Sequence, residues 1–180
     1  MMIQTAKPED AEAIARLHAD SWRDTYRGMV PDRLLDGPMA EERLSQWRTV
    51  LTALPSGRVV LCAHAGAVLL GFISGGPRRG GPTGYDAEVY ALYVARAHRG
   101  RGVGRRLLGH MAERLALFGH DGLLTWVLAA NLGARRFYQR LGAVEVAEKE
   151  EAVGGTPLIE IGYGWAEIRD LAEAAEQGRY

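Results

Sequence analysis

The chain has 180 residues, of which 47% are hydrophobic and 24% charged; this is the composition of a globular protein able to bury a core without staples, not of a disordered one. Its 22 basic and 22 acidic residues cancel, which argues against a general nucleic-acid or anionic-membrane binder, whose charge is usually basic. A single cysteine, Cys62, excludes an intramolecular disulfide and a cysteine-based zinc cage and fits a reducing cytoplasm.

The opening MMIQTAKPED has no apolar run, so no secretory leader is expected. Residues 3–5 predict a short strand. Pro8, Glu9 and Asp10 suit a first helical turn, and Ala11, Ile14, Ala15, Leu17 and His18 then repeat at helical spacing towards Trp22. Gly28 and Pro31 interrupt. A second helix is expected over about 41–54, with Leu44, Trp47, Val50 and Leu51 on one face and Pro55-Ser56-Gly57 as its end. Residues 59–77 carry no charge and approach the length of a membrane span. His64, Gly66, Gly71, Ser74, Gly75 and Gly76 punctuate them, so two strands, 59–63 and 67–74, are expected with a turn at His64-Ala65-Gly66.

A loop at 77–82 leads to a buried strand over 88–94. A glycine- and arginine-rich turn follows, then a helix with Val103, Leu107, Leu108, Met111 and Leu115 inward. Residues 123–128 predict a strand, 131–141 a short helix ending at Gly142, and 143–149 and 158–163 two more strands. Residues 165–177 predict an amphipathic helix with Ile168 and Leu171 inward. With no repeat and no long linker, one domain over 1–180 is expected. The strand–helix–strand unit around 103–115 implies a parallel pair with a right-handed crossover. The hairpin implies antiparallel pairing elsewhere, so the fold class is α/β, one mixed sheet with helices on both faces.

The strongest chemical signal is the turn from Tyr93 to Leu108, YVARAHRGRGVGRRLL. A strand feeds it and a helix leaves it. The first amides of a helix lack internal partners and sit at the positive end of its dipole, and glycines let a phosphate approach that backbone. Five arginines fall between positions 96 and 106 of a chain with no net charge. The segment reads as a site for a multiply charged anion, most simply a pyrophosphate. It is neither a P-loop, since GxxxxGK[ST] is absent, nor the dinucleotide fingerprint, since Arg105 stands where the third glycine belongs.

Arg99-x-x-Gly102-x-Gly104 after Leu92-Tyr93-Val94 resembles the acyl-CoA pyrophosphate loop of the GCN5-related N-acetyltransferases. A second segment, Trp126-Val127-Leu128-Ala129-Ala130-Asn131 and a helix carrying Phe137-Tyr138 and Leu141-Gly142, resembles that family's next motif, with Asn131 27 residues after Gly104. The two motifs lie within about 86–142; the rest of the chain resembles the family in element order. The resemblance implies a partly splayed sheet and direct transfer of an acetyl group from acetyl-CoA to a primary amine. It implies Tyr138 as the acid at the leaving thiolate and Glu88, in Ala87-Glu88-Val89, as the candidate base, alone or through a water relay. It implies that Leu92, Tyr93 and Val94 offer backbone groups to pantetheine. It implies that Arg99, Gly100, Arg101, Gly102, Val103, Gly104 and Arg105 hold the pyrophosphate and that Asn131 contacts the pantetheine arm or the CoA end. Arg135, Arg136 and Arg140 read as helix-surface charges, one of which reaches the adenosine phosphate. Side chains alternate along a strand, so Glu88, Tyr90 and Leu92 share a face unless a bulge intervenes.

In the family, the region around 18–31 forms part of the acceptor pocket. Trp22, Asp24 and Tyr26 offer aromatic surface and an acid for a cationic amine, and Tyr90 is a further candidate. W-R-x-T-Y-x-G-x-x-P resembles uncharacterised bacterial members and, more loosely, polyamine-type enzymes. The five histidines show no metal-ligand spacing, so no metal is expected. Cys62 reads as a buried small hydrophobe. The apolar stripe of the last helix covers the sheet or meets a second subunit, and the resemblance implies a homodimer as one arrangement, since family members are often dimers. A non-catalytic acyl-CoA sensor on the same fold and a nucleotide-binding module of another fold stand as rival readings.

Overall fold

The structure, a computed structural model, describes residues 1–153 and 155–177. Strands β1 (Met2–Thr5), β2 (Val59–Ala65), β3 (Val68–Pro77), β4 (Ala87–Val94), β5 (Leu123–Leu128), β6 (Val144–Val153) and β7 (Thr156–Trp165) form one sheet in the order β1-β2-β3-β4-β5-β7-β6. Only β4 and β5 pair in parallel, and α4 (Val103–Leu117) makes the crossover between them. The other helices are α1 (Ala11–Tyr26), α2 (Asp32–Leu35), α3 (Met39–Thr52), α5 (Leu132–Arg140) and α6 (Ile168–Gln177).

The uncharged stretch is the β2–β3 hairpin. Val59, Leu61 and Ala63 point to one face, Val60 and Cys62 to the other, and all are buried. A strand apolar on both faces needs cover on both. On one face α4 buries Val103, Leu107, Leu108, Met111 and Leu115, joined by Ile168 and Leu171 of α6. On the other, Ile14 and Leu17 of α1 and Trp47 of α3 meet Phe72. Each large side chain so buried contributes about 1.5–3 kcal/mol. No helix among the described residues is long and apolar enough to cross a membrane.

Four details depart from the sequence expectation. The hairpin turns at Gly66-Ala67, and His64 and Ala65, expected in the turn, belong to β2. The expected break after Gly28 contains a turn of helix, α2, which starts after Pro31 and buries Leu35 completely. The last helix begins at Ile168, not 165: Trp165 closes β7 opposite Leu123, and its indole N–H donates to the Leu141 carbonyl at 2.7 Å. Finally, β4 is bulged. Ser74 faces Ala91 and Gly75 faces Val89, so Tyr90 is an extra residue. The expected common face of Glu88, Tyr90 and Leu92 is therefore lost. Leu92 packs on the α4 side with Val89 and Val94, while Ala91 and Tyr93 pack on the α1 side.

His18 is 8% exposed, within 6.0 Å of the Trp47, Phe72 and Tyr93 rings. Its Nδ1 lies 3.2 Å from Trp47 Nε1, which donates to it. Burial, reinforced by the Arg43 charge, pulls its pKa down to about 3. An unfolded histidine protonates near pH 6.5. The folded pKa is the lower one, so stability is fully present above about pH 6.5 and falls as pH drops towards 3. The urea midpoint is expected to decline across that window, at most about 1.4 kcal/mol per pH unit from this group. His18→Asn, whose side-chain oxygen can still accept from Trp47, is expected to flatten that slope; an unchanged slope would assign it to the carboxylates.

Candidate active site

The parallel pairing of β4 and β5 covers only Ala87–Leu123, Glu88–Leu124 and Val89–Thr125. Beyond it the strands diverge, and a cleft of about 930 Å³ opens between them. The bulge sets which backbone groups face that gap. Ala95 N–H donates to Leu70 O, so in the alternating antiparallel ladder Tyr93 and Ala91 also bond to β3. The N–H and C=O of Leu92 and Val94 then point into the cleft.

At the cleft mouth, Gly102 caps α4 with φ +79°, a left-handed conformation that side chains disfavour. The helix's first internal bond ends at Arg106 N–H, which donates to Gly102 O. The N–H groups of Val103, Gly104 and Arg105 are left for an external acceptor. Arg99 is exposed, and its Nε donates to Val94 O at 3.0 Å, tying the loop back to the strand end. Leu92, Tyr93, Val94, every residue from Arg99 to Arg105, Asn131 and Tyr138 all line the cleft, so the structure brings the expected cofactor set together. Asn131 also caps α5, its Oδ1 accepting from Ala134 N–H at 3.1 Å. The three arginines of α5 part company. Arg136 and Arg140 line the mouth, whereas Arg135 donates to Tyr163 Oη, Ala129 O and Glu145.

Tyr138 is 6% exposed and lies in the cleft wall, edge-on to Phe137 and Trp165 and stacked with Tyr163. Burial pushes its phenol well above the ordinary tyrosine range, with the Thr125 hydroxyl opposing weakly. The group is a neutral hydrogen-bond donor at any physiological pH. Tyr26 lines the cleft from the end of α1, its hydroxyl beside those of Tyr93 and the Asn131 side chain. Burial raises Tyr26 and Tyr93 as well.

The other expected catalytic and acceptor residues are placed differently. Glu88 is 2% exposed and lies outside the cleft lining. It accepts from Arg79: from the backbone N–H at 2.9 Å, Nε at 3.2 Å and Nη2 at 2.6 Å. A base needs a free carboxylate within reach of the amine, and this one is engaged behind Tyr90. Trp22 is also outside the lining: its indole N–H donates to Tyr93 Oη at 2.8 Å and its ring packs against Tyr26. Asp24 faces away, 3.6 Å from Arg96. Tyr26 and Tyr90 do border the cleft.

The sequence reading missed Thr25, His98, Thr125, Trp126, Val127 and Phe137 in the lining. The first three carry no local signal. Trp126 had one: a large aromatic within the strand that leads to Asn131, now with Lys149 4.5 Å from its ring centroid. Outside the cleft, metal-capable atoms of Asp10, Cys62 and His64 lie within 4.8 Å of one another. Burial pushes the Cys62 thiol up to about 12, so its sulfur stands protonated.

A mixed sheet splayed between its one parallel pair, with a helix N-terminus at the gap, defines the acyl-CoA N-acyltransferase fold. Residues 12–143 match the Acetyltransferase (GNAT) family. The uncharacterised N-acetyltransferase YuaI of Bacillus subtilis is 35% identical over 169 residues, 94% of this chain and 95% of its own. Among solved structures, PaiA N-acetyltransferase of Thermoplasma acidophilum, in complex with coenzyme A, superposes with a TM-score of 0.67 at 20% identity over 91% of this chain and 98% of that one. YncA of Salmonella typhimurium, with acetyl-CoA, superposes at 0.68 and 22% identity over 93% of each chain. The chain belongs to the GNAT family of N-acetyltransferases.

Proposed function

We propose that this enzyme transfers an acetyl group from acetyl-CoA directly to a primary amine of a small molecule or peptide. The observation that carries the reading is one continuous cleft in which the β4 edge at Leu92 and Val94, the α4 N-terminus and Tyr138 meet. Pyrophosphate takes the N–H groups of Val103, Gly104 and Arg105, with Arg101 supplying charge. Arg136 and Arg140 hold the adenosine phosphate. Pantetheine amides complete the β4 edge. The Leu92 N–H polarises the thioester carbonyl and receives the oxyanion.

The amine's lone pair attacks the thioester carbon, the C–S bond breaks, and sulfur leaves with its electron pair. Tyr138 donates its hydrogen bond to that sulfur; a phenol so buried shares its proton more readily than it loses it. The ammonium proton leaves through water. Glu88, outside the cleft and with Arg79 on its carboxylate, is not the direct base in this scheme. Tyr26 and Tyr90 shape the acceptor side. A single buried cysteine suits work in a reducing cytoplasm.

Calorimetric titration with acetyl-CoA, followed by thiol release across an amine panel, tests this. Stoichiometric binding with thiol release on one amine class is the expected result. Binding without release on any amine or peptide would favour a non-catalytic acyl-CoA sensor, and absence of binding would overturn the reading.

A further inference from the structure

The bulge that expels Tyr90 from the ladder puts its ring at the cleft border. Its hydroxyl donates to Pro77 O at 2.5 Å, which fixes the ring. Two guanidinium groups stand on it, Arg79 at 4.1 Å and Arg58 at 5.2 Å from the ring centroid. Arg79 is neutralised by Glu88 at 2.6 Å. Arg58 has no carboxylate partner among the described residues. Its Nε donates to the fully buried Ser74 hydroxyl at 3.2 Å. Its plane also lies 5.9 Å from the Trp47 ring, and no acceptor among the described residues meets its terminal nitrogens.

Two cations and one carboxylate leave a local charge of one positive. Partial burial weakens Arg58's hold on its proton, the Tyr90 phenol opposes this, and the Arg79 charge adds to it. An unpaired cation half out of water is costly until a counter-ion arrives. Trp47, Tyr90 and Ser74 flank this guanidinium, which lies beside the cleft-lining Tyr90 ring rather than in the lining itself.

The geometry points to an anion subsite: the acceptor is an amine that carries a carboxylate on the same small molecule, and Arg58, backed by Arg79, binds that carboxylate. The inference rests on the acetyl-transfer reading and narrows its acceptor class. A planar guanidinium matches a carboxylate with two parallel hydrogen bonds, and a single negative charge cancels the single excess positive one.

The test is thiol release with amino acids of graded chain length, each beside its own carboxamide. The best amino acid is expected to exceed its carboxamide at least about 10-fold in kcat/KM, since a site built for a charged group rejects the analogue lacking it. Arg58→Gln is expected to bring that ratio to about one, and Arg58→Lys to restore part of it. Equal rates on acid and carboxamide, release confined to polyamines or peptides, or an unchanged ratio in Arg58→Gln would overturn the subsite. If acetyl-CoA binds but no acceptor turns over, the acetyl-transfer reading fails separately. The subsite is then decided by nuclear magnetic resonance of arginine Nε–H groups titrated with acetate. A shift of one resonance that is missing in Arg58→Gln upholds it, and no shift sinks it.

Discussion

Gly102→Val is expected to weaken acetyl-CoA binding about 100-fold while the protein stays folded. Gly102 holds φ +79° as the cap of α4, and a side chain in that left-handed region costs about 1–2 kcal/mol. A Cβ there meets only the Arg105 guanidinium, at 4.0 Å, so nothing in the protein forbids it sterically. The cost falls on the backbone and on whatever approaches from outside. Turning that backbone re-aims the N–H groups of Val103 and Gly104, and hydrogen bonds to a charged group are worth about 1.5–3 kcal/mol each. Losing one such bond accounts for the factor, while strain carried by free and bound protein alike shows in stability. Calorimetric titration with CoA measures it. The thermal midpoint is expected to fall by only about 2–8 °C, the equivalent of 1–2 kcal/mol in a chain of this size. Unchanged affinity would place the pyrophosphate away from α4.

Tyr138→Phe is expected to lower kcat about 100- to 1000-fold and leave acetyl-CoA affinity within a factor of about three, the range for losing one positioned proton donor. The substitution keeps the ring and with it the contacts to Phe137, Tyr163 and Trp165. The neighbouring Thr125 hydroxyl donates to Val89 O at 3.3 Å, so removing the phenol orphans no donor. Burial disfavours the phenolate, so the wild-type rate is not expected to fall through loss of the Tyr138 proton below pH 9. Single-turnover thiol release beside a binding isotherm separates the two effects. A parallel loss of affinity and rate would make Tyr138 a packing residue.

The order of elements and the glycine-rich turn into α4 were legible because both are local. Helical spacing in 11–18, the continuous apolar run in 59–63 and the glycine-rich turn before Val103 each lie within one turn or strand. Long-range pairing was not legible. Nothing near Glu88 announces that Arg79, nine residues away across the β3–β4 connection, takes up its carboxylate. Nothing near Trp22 announces Tyr93, 71 residues on. The bulge is a property of two strands together, because the extra residue exists only relative to β3. One inserted residue reverses which faces Leu92 and Tyr93 occupy, and the error passes to every role assigned by alternation. Asp24 failed for a simpler reason: the last turns of α1 aim Tyr26 at the cleft and Asp24 at Arg96.

The brevity of the β4–β5 pairing makes the sheet two leaves, β1 to β4 and β5 to β6, joined at three residue pairs. The joint acts as a spine. A ligand seated in the gape touches both leaves and sets the angle between them. Conversely, a substitution far out on either leaf that changes this angle displaces Tyr138 relative to Leu92 without touching the ligand. The separation of Tyr138 from Leu92 across the cleft therefore depends on packing at the spine, around Ala87, Leu123 and Trp165.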